Sequence, residues 1–184
     1  MSPLDPLIVW WLRASLALLL FGHAVAKARA LRHFAATLAD YRLLPPAAAR
    51  PAALGLCAAE SATAAALLVP ASAAQAALAA ALLFALYAFA IAVNLIRGRR
   101  DIDCGCAGPA AQMPLSGALV VRNALLVAAA IAAAAPLQTR PLGAIDAFTF
   151  SAALAMGVLL WKAAHGLLEN APALARLRRP QVSS

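Results

Sequence analysis

Charge is scarce in this chain. Only 12% of its 184 residues are Asp, Glu, Lys or Arg, and 65% are hydrophobic. Soluble domains average about 25% and about 45–50%. The imbalance excludes an ordinary soluble globule, because the apolar runs reach about 20 residues, enough to cross a bilayer as a helix. Cysteine is scarcer still, and three residues are too few for a disulfide-built scaffold. No stripe of interleaved basic and aromatic residues appears, so the net charge of +8 does not point to nucleic acid. The basic residues sit in short loops beside apolar runs, as topology signals do. Lysine and arginine are missing ahead of the first run, which starts by Leu7 with Asp5 before it. That argues against a signal peptide cleaved at Ala24-Val25-Ala26.

What is present reads as an all-α, polytopic membrane bundle in one domain, residues 1–168, with a basic tail over 169–184. The hydropathy predicts about five spans, near residues 7–26, 52–71, 76–96, 117–135 and 146–168. Between the first two lies a stretch too polar to span. Leu31, Phe34, Leu38 and Tyr41 recur there at helical spacing among Arg32, His33, Asp40 and Arg42, which predicts an interfacial helix over about 30–43. Pro45 and Pro46 end it, since proline cannot continue the hydrogen-bond ladder. Ser116 is placed to cap the fourth span through its side-chain oxygen. Alanine crowds every span, with Gly22, Gly117 and Gly157, and small residues let helices approach closely in lipid.

Counting lysine and arginine by loop gives an orientation. Lys27, Arg29, Arg32, Arg42 and Arg50 flank the first loop, and Arg97, Arg99 and Arg100 the third. Arg176, Arg178 and Arg179 lie in the tail, whereas the second loop has none and the fourth only Arg140. The positive-inside rule then puts the N-terminus outside and the C-terminus in the cytoplasm, with the third loop at the cytoplasmic face.

That third loop, residues 97–114, is the longest polar interval in the chain. It holds Cys104 and Cys106, separated only by Gly105. Glycine accepts backbone angles barred to other residues, so the two thiols can meet. A disulfide across one residue departs from relaxed geometry and is easier to reduce, which suits exchange rather than stapling. Arg97, Arg99 and Arg100 favour the nucleophilic thiolate, and Asp101 and Asp103 oppose them. Metal ligation is the competing reading, but zinc takes four ligands and His33 is the one further donor in view. A structural or incidental pair is the third.

Glu60 lies near the centre of the second span, where a charge is costly and must face the bundle interior. At 1.5 Å per residue, Arg13 and Arg122 fall within an arginine's length of it. The readings are a structural ion pair with one of them, or proton handling. Asn94, Arg122 and Asn123 share the depth of the thiol loop and either floor its site or anchor helix ends. Cys57, one turn from Glu60, reads as a small hydrophobe or as a relay thiol.

Several segments together resemble the methylamine-utilisation protein MauE family, which is related to the DoxX-like membrane proteins. They are Phe34 to Pro45 with Tyr41-Arg42-Leu43-Leu44-Pro45, Glu60, Asn94-Leu95-Ile96-Arg97-Gly98-Arg99, Cys104-Gly105-Cys106-Ala107-Gly108 and Arg122-Asn123. The likeness covers about residues 7 to 135, and Ala107 departs from it, since the family more often has an aromatic residue there. The resemblance implies a four-helix DoxX-like core plus one span, in a bacterial inner membrane. It implies a role in maturing the disulfide-rich, periplasmic small subunit of methylamine dehydrogenase, alongside a periplasmic thioredoxin-like partner. Many relatives lie outside methylamine metabolism, so the redox role transfers more safely than the substrate.

The expected function is therefore a membrane thiol–disulfide redox protein acting at Cys104 and Cys106. The competing classes are a non-catalytic export or assembly factor and a small-molecule transporter centred on Glu60. The orientation creates a tension, because the implied substrate is outside and the thiol loop is inside. Cys57 sits about 8–9 Å within its span at 1.5 Å per residue and cannot bridge the two faces. A relay needs a quinone, a partner thiol entering the bundle, or a helix rearrangement. Otherwise the arginines belong to the site and the orientation is reversed.

Overall fold

The computed structural model describes residues 4–105, 114–136, 140 and 143–177. Six helices follow one another: α1 (Pro6–Arg29), α2 (Leu31–Asp40), α3 (Pro46–Leu67), α4 (Ala73–Ile96), α5 (Gly117–Ala133) and α6 (Ala144–Leu177). An isolated bridge pairs Asp103 with Pro114.

Local chemistry sets the helix ends. Asp5 caps α1, its Oδ1 accepting from the Leu7 amide at 2.8 Å, and Pro6 fills the first turn, where its missing N–H costs nothing. Pro46 starts α3 in the same way, so the second span begins earlier than its apolar run. Arg42 takes a positive φ of 49° in the α2–α3 turn. Ser116 does stand at the N-cap of α5, in extended backbone, but makes no side-chain capping bond. The short helix predicted over about 30–43 is α2, Leu31–Asp40. The helix of the fifth span is longer than the span expected, since α6 runs on into the basic tail as far as Leu177.

Among the described residues, three helices are long and apolar enough to cross a membrane: α1, α4 and the Ala144–Ala164 portion of α6. α3 is nearly as long, at 22 residues, and α5 is a shorter apolar helix. α3 packs along α1 and α4, and α5 along α4. The core is formed by Leu16, Leu20, Leu67 and Phe84, set among Ala77, Ala80, Ala130 and Ala133. Small residues there allow close approach of the helices. α6 touches only α1. Gly157 is the reason it can: a Cβ at that position would stand 3.2 Å from Trp11 Cζ2. Gly22 and Gly117 have no such neighbour.

A charged clamp fixes the beginnings of α1 and α6 to one face. Arg140 donates from Nε to Asp5 Oδ2 at 2.9 Å and from Nη2 to Asp146 Oδ1 at 3.0 Å. The guanidinium holds the Asp5 carboxyl below the usual carboxylate range. The chain then alternates faces, so that the end of α1, all of α2, the start of α3 and the thiol loop gather at the opposite face.

Candidate functional site

Two structures share that face. The first is a buried polar triad. Lys27 Nζ donates to Glu60 Oε1 at 2.5 Å and to Tyr87 Oη at 3.1 Å, and Tyr87 Oη donates to the same Glu60 oxygen at 2.7 Å. Lys27 is 2% exposed and Glu60 is 0% exposed. The ammonium also lies 5.0 Å from the Phe34 ring centroid and 4.4 Å from that of Tyr87. Burying both charges is tolerable because they are paired and hydrogen-bonded.

This corrects the expected partner of Glu60. Arg13 instead donates from Nε to the Ala133 carbonyl at 3.0 Å and stacks on Trp10, tying α1 to the end of α5. The Arg122 guanidinium lies over the Trp161 ring at 5.7 Å, and its Nε and Nη1 are buried without a hydrogen-bond partner. Lys27 was counted as a loop charge, yet α1 continues through it to Arg29. Val9, Arg13, Leu16, Leu20, Ala24 and Lys27 are all buried, and their spacing of three and four is one helix stripe. That periodicity is the signal that could have found Lys27.

The second structure is the thiol loop. It is pinned to α5 by Leu115, whose amide donates to the Arg100 and Ile102 carbonyls. It is pinned to α2 by His33 Nε2 against Asp103 Oδ2 at 3.1 Å. Tyr41 Oη donates to the Cys104 carbonyl at 3.4 Å. Cys104 is 8% exposed and packs with Tyr41, Ile91, Leu115 and Leu119. Gly105 follows at φ +71°, and a Cβ there would meet Thr37 Cγ2 at 3.1 Å and Phe34 Cδ2 at 3.4 Å. Both the backbone angle and the close approach require glycine. Cys106 lies outside the described residues.

The supporting residues divide. Asn94 is fully buried and holds the end of α4. Its Nδ2 donates to the Ala90 carbonyl, and its Oδ1 accepts from Arg99 Nη1 at 3.1 Å. Arg99 also reaches the Tyr41 carbonyl, so it fastens the start of the loop to α2. Asn123 is buried and donates to the Leu119 carbonyl at 2.8 Å, one turn from the cysteine cluster. Arg97 is exposed at the C-cap of α4. Cys57 lies on α3, its carbonyl accepting from Ser61 Oγ. It does not line the cavity described next.

A cavity of about 570 Å³ joins the triad to the thiol loop. Lys27, Phe34, Tyr41, Tyr87, Ile91 and Cys104 line it, with Gly55 and Leu56 on the α3 wall. Phe34 stands between the two halves, one neighbour being Lys27 and another Gly105.

A helical, polytopic membrane protein whose cysteine loop is packed against a buried lysine–glutamate–tyrosine site is the class that this fold and site define. The comparisons narrow it. Residues 5–136 match the family described as Methylamine utilisation protein MauE. A Methylamine utilization protein MauE of Paracoccus versutus is 43% identical over 98% of this chain and 95% of its own length. Proteins of the same name from Paracoccus denitrificans and Methylophilus methylotrophus are 40% and 38% identical. They cover 73% and 87% of this chain, and 72% and 85% of their own lengths. The chain belongs to the MauE family. No solved structure is significantly similar to it.

Proposed function

We propose that the protein serves methylamine utilisation as a membrane thiol–disulfide redox protein that assists disulfide formation in an exported protein. The exported protein is the disulfide-rich small subunit of methylamine dehydrogenase, and a periplasmic thioredoxin-like protein is the partner in exchange. The membrane is the bacterial inner membrane, crossed about five times. The observation that carries this reading is the setting of Cys104. It sits in a loop fastened at His33, Tyr41 and Leu115, beside a glycine that no other residue replaces without strain. A loop whose only task was to dock a partner would have no need to bury a thiol and open it onto a polar-ended cavity.

The arrangement is less favourable to a transporter centred on Glu60. Its Oε1 is engaged by both Lys27 and Tyr87, which makes a closed unit rather than a passage. Lys27 and Arg99 both enter internal contacts, so two charges of the orientation count belong to the site itself.

Cys104→Ser and Cys106→Ser variants test the function. Each is expected to abolish maturation of the exported subunit while the protein still accumulates in the membrane. Maturation surviving both isosteric changes supports the assembly factor instead. A membrane-impermeant maleimide on intact spheroplasts tests the face. Labelling only after lysis fits a cytoplasmic loop and a relay, and labelling without lysis means direct exchange outside.

A further inference from the structure

A second cavity, of about 790 Å³, lies between α1, α5 and α6, and no described residue of the thiol loop lines it. It exists because α6 touches α1 and no other helix, so α6 stands off α5 and leaves a gap. Its walls include Leu12, Leu16, Leu19 and Leu126. Leu18 and Val158 also line it and are 49% and 38% exposed, so the opening is apolar. It lies between helices that can cross a bilayer, and it therefore faces hydrocarbon. Ligand sites run to about 300–1,000 Å³, and a lipid is the occupant with a route into this one.

The polar groups say which lipid. His23 and Lys162 both line the cavity. They stand 17 residues beyond Pro6 and 18 beyond Ala144, where α1 and α6 begin. At 1.5 Å per residue that is about 25–27 Å from the clamped face, near the far edge of a core about 30 Å thick. Arg122 joins them from α5, one turn before Leu126 and on the same helix face. Its guanidinium lies over the ring of Trp161, a lining residue, and its Nε and Nη1 are buried without a hydrogen-bond partner. A ring face supplies no oxygen, and the guanidinium fork fits a phosphate. Among the described residues no Asp or Glu lines the cavity, so this end favours an anion. Trp11 and Ser15, one turn apart on α1, line it too, and Trp11 Nε1 and Ser15 Oγ are both buried without a partner. A buried donor left without an acceptor costs free energy. Trp11 packs against Gly157, one turn before Trp161, so about 6 Å separates this level from the cationic end. The ester carbonyls of a glycerophospholipid lie at such a depth below its phosphate. A fatty acid has oxygens only at its head.

We infer that this cavity is a site for one anionic glycerophospholipid, drawn from the leaflet on the thiol-loop side. Arg122 and Lys162 take its phosphate, with His23 beside them. Trp11 Nε1 and Ser15 Oγ donate to its ester carbonyls, and its acyl chains fill the space between α5 and α6. The lipid supplies the packing that these two helices do not give each other. Neither cysteine is involved, so the site stands or falls apart from the redox role.

The test uses the full-length protein in vesicles of phosphatidylcholine and phosphatidylglycerol, with brominated acyl chains on one lipid at a time. Bromine quenches nearby indoles, and Trp11 and Trp161 line the cavity. Wild-type protein is expected to prefer phosphatidylglycerol about tenfold, the scale of one hydrogen bond to a charged group. Arg122→Gln and Lys162→Gln should each lose most of that preference. Arg50→Gln removes an exposed charge at the same face, from α3, which does not border the cavity, and should keep it. Gly22→Leu fills the cavity from α1, where an added Cβ meets nothing within 4 Å, and should weaken quenching by both lipids. Equal quenching of wild-type protein by the two lipids overturns the site. So does an Arg50→Gln protein that loses as much preference as Arg122→Gln, since the attraction would then be that of the whole charged face. A Gly22→Leu protein quenched like wild type overturns it as well.

Discussion

Lys27 and Glu60 stand 33 residues apart in sequence and meet at 2.5 Å in the interior of the bundle, with no solvent reaching the carboxylate. Each charge is stable there only because of the other. The pair locks the end of α1 to the middle of α3 and presents Tyr87 from α4 to both.

Breaking this pair from one side leaves a buried, unpaired charge, which costs about 3–5 kcal/mol. Lys27→Met and Glu60→Leu should each lower the thermal midpoint and the amount of protein in the membrane. The double variant should recover much of the loss, because replacing a buried pair by apolar residues is often near neutral. A double variant as impaired as the sum of the singles would show that the two residues act independently. Arg13 variants should add to either, since Arg13 serves the Ala133 carbonyl instead.

Gly105→Ala should lift the loop. The positive φ alone costs about 1–2 kcal/mol for a residue with a Cβ, and the new methyl meets Thr37 Cγ2 at 3.1 Å. The expected result is faster maleimide labelling of Cys104, which is 8% exposed. Thr37→Gly in the same background should restore part of the protection. Unchanged labelling in Gly105→Ala would mean that the loop is not seated on α2 as described.

Arg97 and Arg99 should separate although they are two residues apart. Arg99→Ala removes the contacts to Asn94 and to the Tyr41 carbonyl, at a cost of about 1 kcal/mol, and loosens the loop to proteolysis. Arg97 is exposed, and Arg97→Ala should leave both stability and protease resistance unchanged.

The Asp5–Arg140 contact carries a pH signature. Arg140 holds the Asp5 carboxyl below its ordinary value of 3.8. A carboxyl with a depressed pKa stabilises the fold above its unfolded value, and that contribution is lost as pH falls through the folded one. Cross-linking between the starts of α1 and α6 should therefore be flat from neutral pH down to about 4 and decline only below it. In Arg140→Gln it should be weak at every pH.

Much of the frame was legible in the sequence because a bilayer imposes a strict length and polarity rule. The short helix between the first two spans also was, since Leu31, Phe34, Leu38 and Tyr41 fall on one face and the prolines after them close the stretch. The helix ends were less so. Pro46 starts α3 rather than merely stopping what precedes it, and α6 runs on to Leu177 although Pro172 lies within that stretch. The partner of Glu60 was missed for a geometric reason: depth along the bilayer does not fix which face of a helix a side chain takes. Arg13 and Arg122 lie at suitable depth but turn to other neighbours, and Lys27, assigned to a loop, completes the buried stripe of α1. The cavity could not be read at all, because its lining comes from four helices and the loop.

The central claim is that Cys104 and Cys106 form a reversible disulfide, and alkylation of active membranes tests it most directly. Thiols are blocked with one maleimide, the sample is reduced, and newly exposed thiols take a second of different mass. The account predicts that both residues carry the second label in a substantial fraction of molecules, and that prior reduction abolishes it. A pair carrying only the first label, under every condition in which the exported subunit matures, would contradict it.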